Sequence, residues 1–185
     1  VRNTESSLTV SRQLEELKEY TLYLWLTDAN GANSSEVVAV EFTTEDRTPP
    51  VFTVDPYVNR IEATAVQLGA TVNENATVYW AVVETGTDYP KPNPNNQGDN
   101  TADGKRADLS SDYAKLQVSS GMNALVSGNV TAQADTPITI NVSGLEEEKS
   151  YDFYYLARDT AGNYSIQVMT LTGGLHTLDN NGPIV

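Results

Sequence analysis

The stretch 14–34, LEELKEYTLYLWLTDANGANS, is written a second time at 145–165 as LEEEKSYDFYYLARDTAGNYS. Leu14, Tyr20, Asp28, Gly31 and Ser34 meet Leu145, Tyr151, Asp159, Gly162 and Ser165, each 131 positions further on. After a slip of two residues the endings agree as well. TTEDRTPPVF answers HTLDNNGPIV, with Thr44, Asp46, Pro50 and Val51 set against Thr177, Asp179, Pro183 and Ile184. Matches that keep both order and spacing mark a repeated structural unit, and a repeat constrains a fold before any single residue does.

Each copy alternates like a strand with one buried face. Tyr20, Leu22, Leu24 and Leu26 interleave with Thr21, Tyr23 and Trp25; Tyr151, Phe153, Tyr155 and Ala157 take the buried parity in the second copy. DANG and DTAG then turn the chain, with Asp28 or Asp159 opening the turn and Gly31 or Gly162 where φ is expected to be positive. The returning strands bury Val38, Val40 and Phe42 in one copy, Met169 and Leu171 in the other. An Asp at such a place is read first as an acceptor for loop amides rather than as a functional carboxylate.

Between the two endings lies the rest of one unit. VFTVDP (51–56) predicts an edge strand stopped by Pro56. AVQLGATVN (65–73) alternates with Val66, Leu68, Ala70 and Val72 inward, and ATVYWAVVE (76–84) has the unbroken β-prone run of a central strand. PITINVSGL (137–145) adds another strand. Short strands at this spacing, separated by turns, predict an antiparallel sandwich. The segment 85–122 is long for a connection inside a domain. Its SSDYAKLQVSS (110–120) predicts a short helix capped by Ser110 or Ser111, with Tyr113, Leu116 and Gln117 on one face, and NALVSGNVTAQ (123–133) returns as a strand.

Composition limits what such a sandwich does. A net charge of −14, with eleven scattered Lys and Arg, speaks against nucleic acid or an anionic membrane surface as partner. Cysteine is absent, which removes disulfides, thiolate metal sites and cysteine nucleophiles. No apolar run approaches the roughly 20 residues of a membrane span. VRNTESSLTV is not a signal peptide, so an exported protein would carry this sequence as an internal piece.

Taken in order, TPPVF, ATVYWAVVE, an insert ending near SGNV, Gly144-Leu145 before the strand of Tyr151, the turn Asp159-Thr160-Ala161-Gly162-Asn163 and a closing Thr-x-Asp resemble the fibronectin type III-like repeats of bacterial cell-surface and secreted proteins. The resemblance implies an all-β, antiparallel Ig-like or fibronectin type III-like sandwich. Residues 49–181 are expected to form one complete repeat with its helix in the insert 85–122. Residues 1–48 are expected to be the C-terminal part of another repeat, with Gln13-Leu14 in place of Gly-Leu, and 182–185 the start of a following repeat or linker. It further implies a non-catalytic structural or adhesive spacer at the extracellular bacterial surface, or alternatively a carbohydrate- or protein-binding accessory module. Expected partners are adjacent domains of the parent chain, cell-wall or host glycans, or another copy of the same chain.

Candidate chemistry is sparse. The single histidine, His176, lies in the exit segment GGLHTLD, and Glu146, Glu147 and Glu148 form a solvated run, so no catalytic constellation is expected. DNTADGKRADLS (99–110) partly follows the spacing of a calcium loop through Asp99, Thr101, Asp103 and Gly104, with Asp108 nearby. Ser110, however, stands where the bidentate Glu belongs. Asp46 beside Glu45 is the second calcium candidate, and no other cofactor is expected. Tyr23, Trp25 and Tyr154 share an outward parity and are the candidates for stacking on sugar rings. A hairpin without the rest of its repeat is expected to leave a sheet face around Leu22 and Val40 exposed or covered by a partner.

Overall fold

The computed structural model describes residues 13–91 and 109–180, together with Ser7 and Thr9. The chain divides into two compact units, residues 1–47 and 48–185.

Among the described residues of the second unit the alternating segments become seven strands. They are β3 (Phe52–Ile61), β4 (Ala65–Val72), β5 (Ala76–Glu84), β6 (Val126–Ala132), β7 (Ile138–Ser143), β8 (Ser150–Asp159) and β9 (Met169–His176), with helix α1 (Asp112–Ser120) between β5 and β6. They form two antiparallel sheets, ordered β3–β4–β7 and β6–β5–β8–β9. Val66, Leu68, Val72, Ile140 and Val142 from the first sheet share one buried cluster with Val78, Trp80, Val82, Tyr151, Phe153 and Tyr155 from the second. Two sheets facing each other across a single apolar layer make the antiparallel sandwich that the strand pattern predicted, with the fibronectin type III-like strand order that the resemblance implied. Trp80 lies over Gly128 on the neighbouring strand, where a Cβ would come within 2.5 Å of the indole Cζ2, so that close approach requires glycine.

Two local expectations change. β3 does not stop at Pro56 but runs on to Ile61, because shifts in its register against β4 between Val54 and Tyr57 carry the proline past the ladder. The helix begins one residue later than its first candidate cap: Ser111 is the N-cap and accepts from Ala114 N–H at 3.2 Å. Its buried face is Ala114, Gln117 and Val118, while Leu116 is exposed.

That face lies on the outside of the larger sheet. Ala114 and Val118 pack with Tyr89, Ala81, Val83, Tyr154, Leu156 and Val168 in a second buried layer. Gln117 is fully buried and grips the insert's backbone: Lys91 N–H donates to Oε1 at 3.0 Å, and Nε2 donates to Lys91 C=O at 2.8 Å. β8 is therefore covered on both faces, and every residue from Tyr151 to Ala157 is buried.

Two hydroxyls in these layers, those of Tyr89 and Tyr155, are buried without a hydrogen-bond partner. Burial pushes both phenols far above their ordinary value of 10.0. Because the folded-state value is the raised one, the stability this confers is complete below about pH 10 and is lost as pH climbs above it. Tyr155→Phe is expected to stabilise the second unit by about 1 kcal/mol at neutral pH, since it removes an unpaired buried polar group. It should also flatten the loss of stability between pH 10 and pH 11.5 in urea denaturation.

Among its described residues the first unit holds one hairpin, β1 (Glu19–Leu24) paired antiparallel with β2 (Val38–Thr43). Among the described residues β1 has β2 as its sole strand partner. Val38, Val40 and Phe42 are 57%, 44% and 39% exposed, so among the described residues of the first unit nothing buries this face.

Candidate functional site

The repeated ending is built twice from the same bonds. Tyr20 Oη accepts from Glu15 N–H at 2.9 Å, and Tyr151 Oη accepts from Glu146 N–H at 2.8 Å. Thr44 Oγ1 accepts from Lys18 N–H at 3.0 Å and donates to Glu15 C=O at 2.6 Å; Thr177 Oγ1 accepts from Lys149 N–H at 3.0 Å and donates to Glu146 C=O at 2.7 Å. Leu17 and Glu148, the same position in the two copies, both have positive φ, at 52° and 53°. A tyrosine bonded to the backbone upstream of its own strand is a known corner of β-sandwiches. Here a threonine from the exit segment closes the same corner from the other side.

The turns also match. Asp28 Oδ1 accepts from Ala32 N–H at 2.9 Å while Oδ2 takes Asn33 Nδ2 at 2.9 Å; Asp159 Oδ1 accepts from Gly162 N–H at 2.6 Å while Oδ2 takes Asn163 Nδ2 at 2.8 Å. Both carboxylates are occupied by their own loops, and the side-chain bond from Asn33 followed by the amide bonds holds Asp28 below its ordinary value. Gly31 and Gly162 have φ of 68° and 106°, as the turn requires. The alignment shifts by one residue within the loop. It is Ser35, not Ser34, that corresponds to Ser165: Leu26 N–H donates to Ser35 Oγ and Ala157 N–H to Ser165 Oγ.

The two-residue slip between the copies is a β-bulge. Tyr20 and Leu22 face Phe42 and Val40, whereas Tyr151 and Phe153 face Leu175 and Leu171, which sets three residues of β9, 172–174, against the single Asp152 of β8. Gly173, at φ 78°, donates its N–H to Asp152 Oδ1 at 3.2 Å, and the same oxygen accepts from Thr85 Oγ1 at 3.1 Å. Asp152 is a buried carboxylate that sequence reading passed over. The slip pointed to its place, since extra residues in one strand need something to hold them.

The remaining candidates separate. Tyr23 and Trp25 stand on one face of the hairpin, 61% and 62% exposed. Tyr154 shares their parity but is fully buried against Tyr89, ring centroids 4.9 Å apart, so it offers no face to a sugar. Asp46 lies in the segment after β2, and Asp99, Asp103 and Asp108 fall outside the described residues. His176 ends β9 opposite Ser150, whose Oγ is 3.1 Å from Nδ1. A hollow of about 620 Å³ beside Asn75, Thr77, Thr131, Gln133 and Thr160 is lined without an acid, a base or a histidine. No described helix is long and apolar enough to cross a membrane.

No protein-family model and no curated protein matches the chain. Among solved structures it is similar to the crystal structure of the rat CD45 extracellular region, domains d3-d4. The identity is 13%, 92% of this chain and 72% of that chain are covered, and the TM-score is 0.41. At that distance the strand order itself, rather than the likeness, identifies the fold.

Proposed function

We propose that this chain is a non-catalytic structural or adhesive module of an extracellular bacterial surface protein, which holds neighbouring domains at a set spacing. In this reading residues 49–181 are one complete repeat, 1–48 the closing part of the repeat before it, and 182–185 the approach to the next. One observation carries it: the Tyr20–Thr44 corner and the Tyr151–Thr177 corner are the same construction made twice in one chain. Tandem sandwiches with identical endings suit an array in which each module hands the chain on in the same way. The bacterial surface follows from the resemblance of the repeat sequence, and calcium at Asp46 or in the 99–110 loop belongs to the same proposal.

A second reading, a carbohydrate-binding accessory module, is favoured by exposed Tyr23 and Trp25. Retention on immobilised cell-wall polysaccharide separates the two. The spacer reading expects no saturable binding from the intact chain. Saturable binding that disappears in Trp25→Ala would replace it with the second.

A further inference from the structure

The outer face of the β1–β2 hairpin carries an apolar group that the second unit shows how to cover. The two hairpins share a register: Leu24 faces Val38 as Tyr155 faces Met169. Tyr23, Trp25 and Val37 therefore correspond to Tyr154, Leu156 and Val168. The first three are 61%, 62% and 61% exposed, and the second three are 0%, 0% and 1% exposed. What covers the second set is the insert. Ala114 and Val118 of α1 and the ring of Tyr89 pack on it, and Leu109 C=O accepts from Val168 N–H at 2.8 Å. The opposite face of the hairpin, Leu22, Leu24, Val38, Val40 and Phe42, corresponds to side chains that in the second unit lie against the three-stranded sheet. A hairpin apolar on both faces is a middle layer, because a solvated sheet face alternates with polar residues.

We propose that Tyr23, Trp25 and Val37 form the seat of a helix-bearing insert of the same kind as 85–122, supplied by the hairpin's own repeat, rather than a sugar-stacking surface. The occupant is a short helix with small aliphatic residues on its contact face, as Ala114 and Val118 are on α1. The proposal stands whether the module is a spacer or a binder, since it concerns how the repeat is closed.

The chain has no cysteine, so single introduced thiols report cover cleanly. Val37→Cys marks the outer face, Val40→Cys the inner face and Val168→Cys the covered counterpart. In the chain as it stands the first two are expected to react with a maleimide at the rate of a free thiol, and the third about 100-fold more slowly, through local opening. The same reporters are then placed in a chain extended by joining a second copy of residues 48–144 ahead of Leu14. There both Val37→Cys and Val40→Cys should slow about 100-fold. Deleting 86–124 from that added copy should restore the fast rate at Val37→Cys alone. A fast Val37→Cys beside a protected Val40→Cys in the full extension overturns the proposal. If the extension leaves Val40→Cys fast, the graft has not closed, and a stapled helical peptide of residues 109–124 decides. Saturable protection of Val37→Cys but not Val40→Cys supports the seat, and none at millimolar peptide overturns it. Protection that grows with protein concentration in the unextended chain would assign the face to a second copy and also overturn it.

Discussion

Phe153→Ala is expected to lower the unfolding free energy of the second unit by about 3–5 kcal/mol, the cost of emptying a well-packed aromatic site. Phe153 is fully buried, stacked at 6.4 Å on Tyr155 and surrounded by residues of both sheets. Because β8 pairs with β5 on one side and β9 on the other, the strand cannot shift to fill the void without breaking two ladders. The control is Leu22→Ala, the same repeat position in the hairpin, where cover is missing; its effect should stay below about 1 kcal/mol. Urea denaturation of both variants checks the pair. Equal effects would mean that the hairpin face is packed after all.

Tyr154→Ala should cost a similar amount, about 3–5 kcal/mol, but in a different place. Its ring supports Tyr89 and the floor beneath α1, on the opposite side of the same strand. Hydrogen exchange of residues 112–120 is therefore expected to accelerate in Tyr154→Ala and to remain slow, up to the global limit, in Phe153→Ala. Unchanged protection of α1 in Tyr154→Ala would show that Gln117's hold on Lys91 is enough to keep the helix in place. Adjacent residues would thus report separately on the two layers that sandwich β8.

The inner layer was legible in the sequence. Val66, Leu68, Ala70 and Val72 alternate because one face of β4 meets the core, and all four are buried. The outer layer was not legible, for a physical reason. Period-two reasoning assigns Tyr154 and Leu156 to solvent whenever one face is taken as buried, and only the insert makes both faces of β8 interior. Helical spacing put Tyr113, Leu116 and Gln117 on one face of α1, and of these only Gln117 belongs to the buried face. A helix this short exposes most of its circumference, and its contact face is set by where Lys91 and the sheet lie. Pro56 misled because register shifts between Val54 and Tyr57 carry β3 past it, and a proline read alone does not tell a strand end from such an irregularity. Asp28 and Asp159 accept from amides of their own loops, the use that an Asp opening a turn most often has.

The threonine corner has a mechanical consequence. Tension on the chain beyond Leu178 reaches Thr177 before it reaches β9. There the load passes through Oγ1 and the Thr177 amide into Glu146 and Lys149, ahead of β8. A pull that would otherwise peel β9 away one ladder bond at a time is first taken up by the turn that leads into β8. The bonds of Thr177 to Glu146 and Lys149 must then break before the β8–β9 ladder begins to open.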